Sequence, residues 1–164
     1  MEGYGILHAG LHLRRAWMKV YEVDLTDEVL VQLINFSIDW EKERSSFGYR
    51  ANEKSDIEGN RIFFAEEGGK VCGYLFGNIH HSKNMEVIMP ADTAYFEVEE
   101  LYVVPDARSR GVGSALFLYV ENLVKPEASY MMVGTATKNW KAILHFYLEE
   151  LGMEFWSARL FKKI

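Results

Sequence analysis

Apolar and polar residues alternate along several segments of the chain, and the period of the alternation changes from one segment to the next. Residues 18–23 alternate with a period of two, which predicts a β-strand. Thr26 follows, a residue type that caps helix N-termini, and the apolar residues after it have helical spacing. We expect a helix there, a second and more charged helix over residues 40–47, and a loop or short helix over residues 48–60.

The middle of the chain predicts a hairpin followed by a long strand. Residues 61–66 and 71–79 indicate strands, and Gly68 and Gly69 between them supply the positive φ angles of a tight turn. A connection over residues 80–93 leads to a strand over residues 94–104, whose apolar parity changes near Glu100. A change of parity within one strand indicates a β-bulge.

The last third of the chain alternates helices and strands. Residues 111–125 predict a helix that Pro126 closes, residues 129–135 a strand, and residues 139–151 a helix. Residues 154–161 predict a final strand or hairpin. Hairpins followed by a β-α-β-α-β order predict one α/β domain with a sheet that is part antiparallel and part parallel.

Length and charge narrow the class of protein. The chain has 164 residues, which corresponds to about one domain. Its 18 basic and 24 acidic residues give a net charge of −6, which disfavours nucleic acid and anionic membranes as partners. One cysteine, Cys72, cannot form an internal disulfide, and residues 1–17 lack the apolar core of a secretory signal. We expect a cytoplasmic protein with an N-terminal extension over residues 1–17 and one domain over residues 18–164.

The segment richest in chemistry joins a strand to a helix. Its turn contains two arginines and two glycines: Arg108, Arg110, Gly111 and Gly113. Glycines let a ligand approach the backbone, and the N–H groups and dipole of a helix N-terminus attract anions. The turn therefore suits a phosphate or pyrophosphate, although a plain strand-to-helix turn with solvated arginines has the same composition.

Two other phosphate-binding motifs are excluded. A Rossmann fingerprint needs glycine at position 116, where Leu116 stands, and an acidic residue about twenty positions further on, where Met131 is apolar. A Walker-type loop needs Gly-Lys-Ser or Gly-Lys-Thr, and neither occurs in the chain.

The sequence Arg108-x-x-Gly111-x-Gly113 after a Leu-Tyr-Val-Val-Pro strand resembles the acetyl-coenzyme A binding motif of the GNAT superfamily of N-acetyltransferases. Asn139, followed by Phe146-Tyr147 and Leu151-Gly152-Met153, resembles the later helix of that family, which lines the pantetheine arm. The resemblance implies a single-domain GNAT-like acyl-CoA N-acyltransferase fold, with a mixed sheet of about seven strands flanked by about four helices.

The later motif departs from the family by one residue. Phe146 stands where many members have a tyrosine, and Tyr147 is one residue further from Gly152 than that tyrosine. One residue turns a helix by about 100°. Either the start of the helix is shifted, or it contains a π-bulge, or Tyr147 does not have the role of the family's tyrosine.

The resemblance also implies a binding site for acetyl-coenzyme A. It places the pyrophosphate on residues 108–114 and the pantetheine beside the strand edge at residues 101–103, where the N–H of Leu101 or Tyr102 donates to the thioester carbonyl. The implied cofactor-binding residues are Leu101, Tyr102, Val103, Arg108, Ser109, Arg110, Gly111, Val112, Gly113, Ser114 and Asn139.

The implied reaction moves the acetyl group directly to a primary amine. A protonated amine is not a nucleophile, so a base must take its proton. The resemblance favours Glu97 as catalytic base, with Glu99 and Glu100 as alternatives or as binders of a cationic acceptor, and Tyr147 as the acid that protonates the departing thiolate. No covalent acetyl-enzyme is needed, so Cys72 is expected to be a small buried hydrophobe.

Several expectations concern the acceptor, metals and partners. The acceptor is expected to be an amine of a small molecule or peptide, and the alternative function is a non-catalytic acyl-CoA-binding regulatory module. His80 and His81 lack partners at metal-ligand spacing, so no metal is expected. Trp40, Phe47 and Tyr49 either fill the core or line an acceptor pocket. The apolar residues within 155–161 either fill the core or form a homodimer interface.

Overall fold

A computed structural model describes residues 18–164, so the expected extension over residues 1–17 lies outside the described residues. The elements in chain order are β1 Met18–Val23, α1 Asp27–Glu43, α2 Lys54–Ile57, β2 Arg61–Glu67, β3 Lys70–His81, β4 Ala94–Val103, α3 Val112–Val124, β5 Tyr130–Val133 and α4 Trp140–Leu144. A 3₁₀ turn, Pro105–Ala107, precedes α3, and a π-helical segment, His145–Glu150, continues α4. The structure is a mixed α/β fold, as the sequence predicts.

Five strands form one sheet in the order β1-β2-β3-β4-β5. The first three pairings are antiparallel and the β4–β5 pairing is parallel, which confirms the expected mixture. Within residues 18–164 the sheet has five strands rather than about seven. The expected strand or hairpin over residues 154–161 is wrong, because those residues have no regular structure. Several of their apolar side chains are exposed instead, namely Phe155, Trp156, Leu160 and Phe161.

Helix α1 begins where the sequence predicts, and it extends into the segment for which we expected a second helix. The Thr26 hydroxyl accepts a hydrogen bond from Val29 N–H at 3.2 Å, which confirms the N-cap. The expected second helix over residues 40–47 is wrong, because α1 continues through Trp40 and stops at Arg44, whose φ is +51°. The backbone beyond Arg44 pairs with the segment after β5: Phe47 N–H donates to Ala136 O at 2.9 Å.

The sheet separates two apolar clusters. On one face α3 covers a cluster that includes Phe63, Leu75, Phe96 and Leu116. On the other face α1 covers Phe64, Tyr74, Phe76 and Tyr102 with Leu33 and Ile57. Strand β3 also runs to His81, two residues further than expected. Within residues 18–164, no helix combines the length and apolar character that crossing a membrane requires.

The bulge expected near Glu100 is confirmed. Phe76 pairs with Glu100 and Gly77 with Val98, so Glu99 is an extra residue in β4. Because of this extra residue, the apolar side chains on both sides of the bulge lie on the same face of the sheet. They all pack with the α3 cluster: Phe96 and Val98 before the bulge, and Leu101 and Val103 after it. Gly77 is needed opposite the bulge, because a Cβ there would collide with the carbonyl oxygen of Glu97.

Candidate functional site

Strand β4 continues beyond the end of β5 and leaves an opening at this edge of the sheet. Strand β5 pairs only with Tyr95 to Val98 of β4, whereas β4 continues to Val103. Val104 N–H donates to Cys72 O at 3.0 Å, and hydrogen-bonded pairs alternate along an antiparallel ladder. The backbone groups of Tyr102 and Glu100 therefore point to β3, and those of Leu101 and Val103 point into the opening. Of the two N–H donors expected at the thioester, Leu101 is the one that faces the opening.

The turn after β4 presents backbone amides at the start of α3. Ser109 and Gly111 have φ angles of +58° and +85°, and Gly111 is the N-cap without a side-chain cap. The N–H groups of Val112, Gly113 and Ser114 belong to the first helical turn, which has no intrahelical acceptor for them. These amides and the helix dipole favour an anion at this position.

The two arginines of the turn are held by carboxylates. Arg108 donates from one guanidinium nitrogen to both oxygens of Glu43, at 2.8 and 2.9 Å, and from Nε to Val103 O at 2.9 Å. Arg110 donates to Glu67 at 2.6 Å. The anion preference of the turn thus comes mainly from its amides, because both side-chain charges are already paired. The sequence carries no signal for Glu43 or Glu67, which lie 65 and 43 residues away along the chain.

The helix after Asn139 contains the π-bulge that the motif spacing allowed. Asn139 is exposed at the start of α4. Leu151 N–H donates to Phe146 O at 3.1 Å, five residues back, which is π-helical pairing. The extra residue in this turn accounts for the offset between Tyr147 and Gly152.

The two neighbouring aromatic rings of the π-helical segment have different surroundings. The Phe146 ring lies beside Gly113 and the first turn of α3. Tyr147 packs with the α3 cluster, and its ring is 6.3 Å from that of Phe117. Burial raises the pKa of Tyr147 to about 12.

The three candidate carboxylates differ in their surroundings. Glu97 is half-buried and pairs with Asn78 in β3; burial, and secondarily the charge of Glu99, raises its pKa. Glu99 is exposed, 4.0 Å from His80 Nε2. Glu100 accepts hydrogen bonds from Tyr74 at 2.7 Å and from Asn52, and burial raises its pKa against the lowering effect of these donors.

The structure does not bring Glu97 and Tyr147 together. Glu97 alternates with Phe96 and Val98, which face α3, so its side chain leaves the opposite face of the sheet. Tyr147 packs on the α3 face.

A small cavity lies at the opening between β4 and β5. Its volume is about 260 Å³, and it is lined by Trp40, Ser46, Phe47, Gly48, Tyr49, Glu99, Glu100, Gly134, Thr135 and Ala136. Trp40, Phe47 and Tyr49 thus line a pocket, and Trp40 also packs with the α1 cluster. A second, open groove of about 1120 Å³ runs between α1 and residues 104–107; none of the three candidate carboxylates lines it.

Two further reactive side chains, Cys72 and His81, do not line the small cavity. Cys72 is buried, as expected, and burial raises the pKa of its thiol. His81 contacts Asp92 at 2.9 Å. Among residues 18–164, no three His, Cys, Asp or Glu side chains are grouped closely enough to hold a metal ion.

The chain matches one family model, described as the acetyltransferase (GNAT) family, over residues 17–153. Similar solved structures include a transcriptional regulator from Bacillus halodurans C-125, with a TM-score of 0.66 and 18% identity, covering 90% of this chain and 100% of that chain. An aminoglycoside acetyltransferase from an uncultured soil metagenomic sample has a TM-score of 0.66 and 16% identity, covering 90% and 99%. A ribosomal-protein-alanine N-acetyltransferase from Brucella melitensis biovar Abortus 2308 has a TM-score of 0.61 and 13% identity, covering 89% and 99%. No curated protein sequence matches the chain.

Proposed function

Because the chain belongs to the GNAT family of acetyltransferases, we propose that it transfers an acetyl group from acetyl-coenzyme A directly to a primary amine of a small molecule or peptide. The observation that carries this proposal is the juxtaposition of two backbone features. The amides of the first turn of α3 form an anion site, and the unpaired edge of β4 at Leu101 and Val103 leads from it to the small cavity.

The residues at this juncture fit the parts of acetyl-coenzyme A. The amides of residues 111–114, with the left-handed turn at Ser109, suit the pyrophosphate. The backbone of Leu101 and the N–H of Val103 suit the amides of the pantetheine, whereas the Val103 carbonyl oxygen already accepts from Arg108. Asn139 lies at the start of the later helix. Acetyl-coenzyme A supplies an activated acetyl group as a thioester, whose carbonyl the Leu101 N–H would polarise.

The reaction requires two proton movements. A base first takes one proton from the ammonium. As the amine nitrogen forms a bond to the acetyl carbon and the carbon–sulfur bond breaks, the nitrogen loses a second proton and the departing thiolate gains one. Glu97 remains our proposed base, with Glu99 and Glu100 as the alternatives that line the cavity. Tyr147 remains the proposed acid, although it packs on the α3 face. Cys72 is not used, because its thiol is buried and its raised pKa disfavours the thiolate.

Binding of acetyl-coenzyme A to the wild type and to Gly111→Glu, measured by calorimetry, tests the proposal. The added carboxylate would occupy the anion site, so we expect micromolar binding by the wild type and none by the variant. Gly59→Glu is a matched control, since Gly59 has the same φ of +85° and similarly open surroundings. Equal binding by all three proteins, or no binding by a folded wild type, would overturn the proposal.

A second candidate function is an acyl-CoA-binding regulatory module without transfer activity. The packing of Tyr147 against Phe117, away from the face that carries Glu97, favours it. Release of the coenzyme A thiol separates the two functions. An amine that stimulates thiol release establishes the transferase, whereas tight binding without release for a broad panel of amines supports the regulatory module.

A further inference from the structure

The larger, open groove follows one face of α1, and we refer to it as the α1 groove. Its wall on the helix includes a stripe of residues at intervals of four: Asp27, Val31, Asn35 and Asp39. The facing wall consists of residues 70–72 of β3 and residues 104–107 after β4. From residue 27 to residue 43 the helix borders the groove over about 24 Å, which about seven extended residues span. The α1 groove is therefore long enough to hold a segment of extended chain.

Part of the α1 groove is apolar. Phe36, Val71 and Val104 are half-buried there, and Val31 is 57% exposed on the helix wall. Covering apolar surface with an apolar partner contributes about 25 cal/mol for each Å² removed from water. The α1 groove thus offers apolar surface to a segment that has apolar side chains of its own.

Charged side chains give the α1 groove an excess of negative charge. Among the lining residues that the structure describes, Lys70 and Arg110 are basic, and six are acidic: Asp27, Glu28, Asp39, Glu43, Glu67 and Asp106. Within residues 18–164, Asp39, Glu43 and Glu67 form ion pairs, and the other three acidic residues form none. Such a groove favours a segment with cationic side chains as well as apolar ones.

The segment over residues 1–17 has this composition. It contains an adjacent basic pair, Arg14 and Arg15, and one acidic residue, Glu2. Apolar side chains stand on both sides of the basic pair, at Leu11, Leu13, Ala16 and Trp17. The charge and the apolar residues of this segment are therefore complementary to those of the α1 groove.

The same segment joins the described fold beside the α1 groove. Met18 begins β1 and pairs with Glu67, which lines the groove. Extended backbone spans at most about 3.6 Å per residue, so the chain limits Arg14 and Arg15 to within about 15 Å of Met18. The connection thus keeps both arginines within reach of the carboxylates of the groove.

We propose that residues 1–17 bind in the α1 groove of their own chain. Their apolar side chains pack against Val31, Val71 and Val104, and Arg14 and Arg15 pair with the carboxylates of the groove. Neither a coenzyme nor an acceptor takes part, so the proposal does not depend on the acetyl transfer proposed above.

Paramagnetic broadening in nuclear magnetic resonance spectra of the full chain tests the proposal. A nitroxide is attached to Gly5→Cys, 13 residues before Met18, in a Cys72→Ala background that leaves one cysteine. We expect the amide signals of Val31 and Asn35 to be broadened about twofold or more relative to reference signals on α3.

The reference signals are those of Leu118 and Asn122, which are exposed on α3. Met18 and Val20 of β1 pack with the α3 cluster, so a label that binds nowhere is tethered near α3 as well. Equal broadening at α3 and at the α1 groove would overturn the proposal.

Two pairs of variants test the contacts. Arg14→Ser, Arg15→Ser should reduce the broadening in the groove about twofold or more, because each exposed ion pair contributes only modestly. Lys162→Ser, Lys163→Ser removes an adjacent basic pair near the other end of the chain and should leave the broadening unchanged. A double arginine variant with undiminished broadening would contradict the proposal.

Val31→Gln tests the apolar contact in the same way. It should reduce the broadening at Asn35, whereas Leu118→Gln on α3 should not. Both side chains are exposed, so neither substitution is expected to unfold the protein. Unchanged broadening at Asn35 in Val31→Gln would count against the proposal.

A mixed sample separates binding within one chain from binding to a second copy. Chains with the isotope label and no nitroxide are mixed with chains that carry the nitroxide and no isotope label. We expect no broadening in the groove of the isotope-labelled chains. Broadening there would show that residues 1–17 bind a second copy, and the proposed binding within one chain would be wrong.

Discussion

The ring of Phe146 lies against the backbone of Gly113, so that a Cβ on Gly113 would be 3.2 Å from Phe146 Cζ. This contact joins the π-helical segment to the first turn of α3. The two motifs of the sequence therefore meet in space, and the later one supports the turn that presents the amides.

Gly113→Ala should disturb both elements. The added methyl group must displace Phe146 by a few tenths of an ångström, which we expect to cancel the stabilisation of about 0.5–1 kcal/mol that alanine has over glycine inside a helix and to weaken acetyl-coenzyme A binding. Urea denaturation and calorimetry measure the two effects. For stability, Gly134→Ala is the control, because a Cβ there meets no atom within 4 Å and its φ is not positive. A Gly113→Ala variant that is more stable than the wild type by about 0.5–1 kcal/mol would show that Phe146 yields without cost.

Glu43→Gln should release Arg108 for an incoming phosphate. In the wild type, Glu43 pairs with Arg108 and also accepts a hydrogen bond from the Tyr102 hydroxyl at 3.0 Å. Since the arginine is partly exposed, we expect a loss of no more than about 1 kcal/mol in stability. Acetyl-coenzyme A should bind severalfold more tightly at low salt, with a steeper salt dependence. Glu22→Gln, which breaks one of the two ion pairs of Arg61, should leave binding unchanged. Weaker binding by Glu43→Gln would mean that the ion pair positions the turn.

The raised pKa of Glu100 predicts how stability changes with pH. A carboxyl group with a higher pKa in the folded state binds its proton more tightly there than in the unfolded chain. Its contribution is therefore complete below the ordinary value of 4.5 and is lost as pH rises through the folded pKa. The free energy of unfolding of Glu100→Gln relative to the wild type should increase from about pH 4 to about pH 7, measured by urea denaturation at each pH.

Asp56→Asn provides a comparison of opposite sign. Its hydrogen bond from Arg50 lowers the pKa of Asp56 below 3.8, so its contribution is present above that value and is lost as pH falls. The wild-type advantage over this variant should therefore grow with rising pH. A constant difference between the wild type and Glu100→Gln would contradict the assigned burial of Glu100.

The exposed apolar residues near the C-terminus predict a homodimer. Leu160 and Phe161 are 95% and 82% exposed, and clustered exposed apolar residues commonly mark interfaces. We expect sedimentation analysis at micromolar concentration to show a dimer, and a Leu160→Glu, Phe161→Glu double variant to be monomeric. Leu118→Glu, a change at an exposed leucine of α3, should remain dimeric. A monomeric wild type would contradict this prediction.

The local signals of the sequence identified most elements. Each of these signals depends only on neighbours within a few residues, so the structure that it predicts does not change with the rest of the fold. They are the N-cap Thr26, the glycine pair at 68–69 and the apolar spacing of α3. The parity change near Glu100 predicted the bulge, and the motif spacing allowed the π-bulge. The expected strand over residues 154–161 failed because strand pairing depends on a distant partner that local alternation does not specify.

The sequence by itself determined the α/β class, the strand-turn-α3 unit and the family resemblance, because each is encoded by residues close together in the chain. The tertiary structure alone decided which charges are free and which are held. Glu43 and Glu67 bind the two arginines from 65 and 43 residues away, and Tyr74 and Asn52 orient Glu100 from 26 and 48 residues away. The small cavity likewise joins residues 40–49, 99–100 and 134–136. Contacts between such distant segments exist only once the sheet and α1 have packed, since no local spacing fixes which side chains then meet.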